Sequence, residues 1–175
     1  MLIRSVFAGF GGQGVLSMGL NLAQAAMMEG KHVTYLPSYG AEMRGGTANC
    51  TVVISDEEIA SPVASSLDFV VVMNQPSLLK FQNQVESGGV LFINSSLVET
   101  DLSRGDIELI RVAANDIAEK MGSARSSNMV MLGAFCKKAN LVSVDTLIEG
   151  LKVTLGSKKA LLDVNKKALM TGYEL

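Results

Sequence analysis

The chain has 175 residues, of which 48% are hydrophobic and only 18% charged, with a formal net charge of −2. That length gives one domain as the default and can bury a core without metal or disulfide staples. The scattered, slightly acidic charge gives nucleic-acid binding no electrostatic support, and no apolar run approaches the roughly 18 residues of a membrane helix.

Residues 2–8 are a short apolar run ending in glycine, which predicts a buried strand. Val15 to Glu29 combines good helix formers with apolar residues at three-to-four spacing, which predicts a helix packed on a sheet and stopped by Gly30. Lys31–Leu36 is β-branched and aromatic and reads as a second strand. This strand–loop–helix–strand unit has the length of a right-handed βαβ crossover, so parallel strands are expected. Residues 37–46 hold Pro37, Gly40, Gly45 and Gly46, which excludes regular structure over the full stretch. Thr47–Ile54 is a strand; the acidic turn Ser55–Glu58 and a return through Ile59–Pro62 read as a hairpin inserted in the α/β pattern.

Asp68–Met73 is the clearest buried strand. Asn74–Ser77 opens a helix to about Glu86, with Pro76 tolerated in its first turn, and Gly88-Gly89 breaks it. Strands follow at Val90–Ile93 and Ile107–Val112. Helices are expected at about 115–121 (Asn115 or Asp116 near the cap), 126–140 (Ser126 or Ser127), from Ser143 or Asp145 to about Leu155, and from about Ser157 or Lys158 to Ala168 or a little beyond. The predicted fold class is α/β: a doubly wound, mostly parallel sheet with helices on both faces and an inserted hairpin, Rossmann-like, in a single domain over 1–175.

A mean hydropathy of +0.31 without a membrane span implies surface covered by partner chains. Cys50 and Cys136 lie far apart and in no CxxC, which argues against a cluster or zinc site on this chain and reads as two reduced thiols of a cytoplasmic protein. The N-terminus runs straight into a glycine loop and has no signal-peptide pattern. His32 begins a strand with no metal-type cluster beside it and is read as a surface or partly buried residue. Met18, Met27, Met28, Met129 and Met131 read as core or interface filler, and the lysine pairs at 137–138, 158–159 and 166–167 as solvated faces.

Two loops could carry chemistry. Gly9-Phe10-Gly11-Gly12-Gln13-Gly14 fits GxGxxG between a strand and a helix. Glycines allow close approach and positive φ, and free N–H groups at a helix start favour an anion, so a phosphate fits there. A tight turn that needs glycine only for packing is the plainer alternative. A nicotinamide site also expects a carboxylate at the end of the second strand. Here that strand ends Leu36-Pro37-Ser38-Tyr39, and the nearest carboxylate is Glu42, inside the next loop. That demotes an ordinary dehydrogenase. Tyr39-Gly40-Ala41-Glu42-Met43-Arg44-Gly45-Gly46 leaves the same sheet edge and should neighbour the glycine loop. Arg44 could hold a phosphate or a partner's carboxylate in a fork, or simply pair with Glu42. Asn74, Gln75, Ser77, Asn94, Ser95 and Ser96 follow the next strands at that edge; helix capping or turn chemistry is favoured for them over ligand contact.

The stretches at 9–14, 37–50 (Pro-Ser-Tyr-Gly-Ala-Glu-Met-Arg-Gly-Gly-Thr-Ala-Asn-Cys), 54–59 and 73–77 resemble the gamma subunit of 2-oxoacid:ferredoxin oxidoreductases, in order and over nearly the whole chain. The resemblance implies a complex that oxidatively decarboxylates a 2-oxoacid, joins the acyl group to coenzyme A and passes electrons to ferredoxin. It implies thiamine diphosphate, Mg²⁺ and iron–sulfur clusters on other chains, so this chain alone holds no cofactor, no metal and no catalytic residue. Its partners would be the alpha and beta subunits, with delta in some complexes. A homodimer is expected when the chain is made alone, because its apolar interface needs cover. Carried over as cofactor-side residues are Gly9, Gly11, Gly12, Gln13, Gly14, Tyr39, Gly40, Glu42, Arg44, Gly45 and Gly46. The second motif is worded closer to the 2-oxoglutarate or branched-chain types than to the pyruvate type. The competing expectation is a free-standing nucleotide-binding α/β protein.

Overall fold

The computed structural model describes residues 1–40, 46–100, 102 and 104–175, apart from the side chain of Lys159. Six strands and six helices occur among them: β1 Leu2–Phe10, α1 Val15–Met28, β2 His32–Tyr39, β3 Thr47–Ser55, β4 Leu67–Val72, α2 Gln75–Phe81, β5 Val85–Asn94, β6 Glu108–Val112, α3 Ala114–Lys120, α4 Ser127–Ala139, α5 Val144–Leu155 and α6 Lys159–Tyr173. They form one mixed sheet in the order β2-β3-β1-β4-β5-β6. The β1–β4, β4–β5 and β5–β6 pairs are parallel, whereas β3 runs antiparallel to both β1 and β2.

The α/β class holds, with two corrections. The crossover through α1 does not place β2 beside β1, because β3 returns between them over its whole length, Leu2 opposite Ser55 through Phe10 opposite Thr47. The inserted hairpin is therefore β2–β3, and not a β3 return through Ile59–Pro62, which forms no strand. Strand β2 also runs on through Pro37 to Tyr39. A proline is tolerated there because β2 is an edge strand. Further along, α2 stops at Phe81, a 3₁₀ turn covers Gln82–Gln84, and β5 starts at Val85, so Gly88-Gly89 lies within a strand. The pairing with β4 shifts register there, between Leu67 and Phe69, as at a bulge. The last helix continues to Tyr173.

Alternation along the strands sorts side chains to two faces. Phe7, Val52, Val71 and Phe92 enter a core covered by α1, α3, α4, α5 and α6. Val6, Ala8, Val70, Val72, Leu91 and Ile93 face the other way, where α2 supplies Leu78 and Phe81. Helices thus cover both faces, unequally. Phe135 of α4 anchors the thicker layer, packed on Phe7, Phe69 and Phe92 with ring centroids 5.1, 5.5 and 5.5 Å away. Helices α4 and α6 meet backbone to backbone. A Cβ on Gly133 would sit 2.0 Å from Leu169 O, and one on Gly172 1.8 Å from Val130 O.

Both cysteines are free and buried. Burial pushes the Cys50 thiol up to about 12 and Cys136 to about 11. His32 is exposed, Met18, Met129 and Met131 are core, and Met27 and Met28 are exposed. No helix among the described residues is long and apolar enough to cross a membrane.

Candidate functional site

The glycine loop sits at the carboxyl end of β1, beside the ends of β2 and β4. Its shape is set by a side chain. Gln13 Oε1 accepts from Phe10 N at 2.7 Å and from Asn74 Nδ2 at 3.3 Å, and Gln13 Nε2 donates to Met73 O at 3.1 Å. The amide lies over Gly9, where a Cβ would come within 2.6 Å of Gln13 Oε1. Gln13 N also donates to Phe10 O, closing the turn. The structure therefore uses Gln13's polar atoms internally, to pin the loop onto the end of β4.

The same bonding continues along the edge. Asn74 caps α2, accepting from Ser77 N at 2.9 Å. Asn94 donates to Met73 O at 3.4 Å and to Asn115 Oδ1 at 2.8 Å, and its Oδ1 accepts from Ala114 N at 3.2 Å. Ser96 Oγ accepts from Asp116 N. The cap of α3 thus comes from the β5 end and not from Asn115 or Asp116 as expected. Capping is the role found for Asn74, Asn94 and Ser96, as it is for Ser143, which accepts from Thr146 N on α5. Ser126 stands at the N-cap position of α4 without a side-chain cap.

Gly14 enters α1 with φ 74°, in the left-handed region. Its carbonyl accepts from Asn128 Nδ2 at 3.3 Å, and a Cβ there would lie 2.3 Å from that nitrogen. Asn128 is a residue that sequence reasoning missed; it lies 114 positions away, and no local pattern connects it to the loop. The N–H groups of Val15, Leu16 and Ser17 find no acceptor among the described residues, and no acidic side chain stands in this first turn. These three donors and the dipole of a 14-residue helix make the turn electropositive without any charged side chain. The turn borders a cleft of about 260 Å³, walled by Phe10, Gly11, Gly12, Gly14, Leu16 and Tyr39. Tyr35 OH supports the wall from below by donating to Leu16 O at 3.2 Å, and burial, with Cys50 and then Tyr39 as lesser causes, raises that phenol to about 12.

The two predicted loops are neighbours. Gly11 N donates to Gly46 O at 2.8 Å, and Gly40 N to Thr47 O at 3.1 Å. Gly9, Gly11, Gly12, Gln13 and Gly14 are therefore brought together with Tyr39, Gly40 and Gly46. Glu42, Arg44 and Gly45 lie outside the described residues. No group of three or more His, Cys, Asp or Glu that could hold a metal occurs among the described residues.

Residues 4–175 match the model of the family described as pyruvate ferredoxin/flavodoxin oxidoreductase. The chain is 44% identical over 174 residues to the ketoisovalerate oxidoreductase subunit VorA of Methanothermobacter thermautotrophicus, covering 98% of this chain and 36% of that protein. It superposes on the keto/oxoacid ferredoxin oxidoreductase gamma subunit of Geobacter sulfurreducens with a TM-score of 0.83 at 29% identity, covering 98% of this chain and 96% of that one. It superposes with a TM-score of 0.91 at 27% identity on the 2-oxoglutarate:ferredoxin oxidoreductase of Magnetococcus marinus, solved with 2-oxoglutarate, coenzyme A and succinyl-CoA bound. There it covers 99% of this chain but 30% of the other. The chain thus spans about a third of the longer relatives and nearly the whole of the Geobacter subunit.

Proposed function

We propose, because this chain belongs to the pyruvate ferredoxin/flavodoxin oxidoreductase family as a gamma-type member, that it serves as the non-catalytic part of a complex that converts a 2-oxoacid to its acyl-CoA with ferredoxin as electron acceptor. The whole of 1–175 acts as one domain in this reading. The substrate is of the branched-chain or 2-oxoglutarate type, in keeping with the ketoisovalerate relative. The partners are alpha and beta chains. The carrying observation is the trio of N–H groups at Val15, Leu16 and Ser17, which find no acceptor among the described residues and border a cleft walled by the glycine loop, Tyr39 and Ala48. Such a turn binds an anion through backbone alone, and a partner chain would close its open side. Coenzyme A, bound in the Magnetococcus enzyme, carries phosphates of the required charge.

The described residues of this chain do not fit the other groups that the complex requires. Iron–sulfur clusters need convergent thiolates, whereas Cys50 and Cys136 are each buried, with pKa values raised by burial to about 12 and 11. A magnesium diphosphate site needs carboxylate and carbonyl oxygens, and none of the described residues walling the cleft is acidic. In this reading clusters, thiamine diphosphate and Mg²⁺ are held by the other chains. The test is reconstitution. Ferredoxin reduction dependent on both a 2-oxoacid and coenzyme A is expected only when partner chains are present, and turnover by the isolated chain would contradict the proposal.

A further inference from the structure

A second cleft lies on the helical face, beyond the first turn of α1 from the glycine loop. It has a volume of about 510 Å³ and is bounded by α1, the Gly122–Ser126 segment, the start of α4, the end of α5 and the start of α6. Its charge is one-sided: Arg125 lines it and no carboxylate does. Arg125 is exposed and makes no ion pair among the described residues. The 13-residue helix α4 points its N-terminus at the cleft through Ser126 and Asn128, with no side-chain cap and no acid in its first turn.

Asn21 of α1 also lines the cleft and is only 4% exposed. Its Oδ1 accepts from Thr154 Oγ1. Its Nδ2 donates to no described residue and is not among the buried side-chain atoms left without a partner, so it is open to solvent. Asn21 and Arg125 line the same cleft. The remaining wall is apolar: Leu20, Leu161 and Val164 are 44%, 49% and 37% exposed, large side chains left open around a polar floor.

We infer that this cleft binds an amphiphilic oxyanion, a phosphate or carboxylate head on an apolar body. Arg125, Asn21 Nδ2 and the α4 N-terminus take the head, and Leu20, Leu161 and Val164 take the body. An inorganic ion satisfies the donors but leaves the apolar wall in water; a ligand that covers both has the size the cleft allows. This site is separate from the glycine cleft, although Ser17 borders both.

The test is calorimetric titration of the full-length chain with phenyl phosphate, phenylacetate and inorganic phosphate. At least one aromatic anion should bind saturably and about tenfold more tightly than inorganic phosphate, the better of the two identifying the head group. Arg125→Ala and the near-isosteric Asn21→Asp, which keeps the acceptor for Thr154, should each weaken binding about tenfold, and Tyr39→Ala should leave it unchanged. Failure of both aromatic anions to bind would overturn the inference. So would binding that survives both variants, or binding lost in Tyr39→Ala but kept in Arg125→Ala, which would place the ligand in the glycine cleft.

Discussion

The two clefts beside the first turn of α1 are built from opposite materials. The glycine cleft presents backbone N–H groups, and the side chains of Gln13 and Asn128 hold that backbone in shape. The α4 cleft presents side chains, Arg125 and Asn21, on helices already fixed by the core. A site made of backbone is only as good as the staples that fix its φ and ψ. Substitutions at those staples should damage fold and binding together. A site made of side chains on helices should lose binding while the fold stays intact.

The largest effect is expected at Gly14. Gly14→Ala forces a Cβ into the left-handed region and against Asn128 Nδ2, 2.3 Å away. Urea unfolding should show a loss of about 2–3 kcal/mol, the sum of αL strain and a broken hydrogen bond. A loss below about 0.5 kcal/mol would mean that the loop is not held as described. Gln13→Ala comes next. It removes the acceptor for Phe10 N and the donor to Met73 O, and about 1–3 kcal/mol should go with them. If Gln13 contacted ligand instead of backbone, Gln13→Ala would weaken binding and leave the unfolding midpoint unchanged.

A smaller effect probes the seat shared by both clefts. Helix α1 lies against β3 so closely that a Cβ on Gly19 would fall 2.3 Å from Cys50 Sγ. Burial raises the Cys50 thiol from 9.0 to about 12. Its unfolded form ionises first, so between those values the unfolded chain binds fewer protons and stability falls as pH rises. The slope is at most about 1.4 kcal/mol per pH unit for this thiol. Stability is unaffected by the group below pH 9.0, and Cys50→Ala should flatten the alkaline limb of a stability–pH profile. The smallest effect belongs to Arg125→Ala, which should move the unfolding free energy by no more than about 0.5 kcal/mol, because the side chain is exposed and makes no ion pair among the described residues. A larger loss would remove the contrast between the two clefts.

Sequence periodicity carried the strand and helix order well, because β4 is a β-branched run and α1 an alanine-rich one. It could not carry pairing. Nothing local distinguishes a β3 that returns between β1 and β2 from one that turns back on itself at Ser55–Glu58; the choice is made by full-length antiparallel pairing with both neighbours. The glycine loop and the Tyr39 loop were legible as neighbours because both leave strands at one edge. The direction of Gln13 was not, since a polar residue in a glycine motif reads equally well as ligand contact or as staple. Asn21, Asn128 and Arg125 were invisible as a group because three separate segments bring them to one region.

In the proposed function, the first turn of α1 contributes an anion site to a complex completed by other chains. Ser17→Asp tests it most directly, because Ser17 is an exposed residue of that turn. A carboxylate at a helix start favours the helix by about 0.3–1 kcal/mol but repels a bound phosphate. Measured by calorimetry on the assembled complex, coenzyme A should bind about tenfold more weakly, while the thermal midpoint holds or rises. Unchanged coenzyme A affinity in a complex that assembles normally would contradict the account.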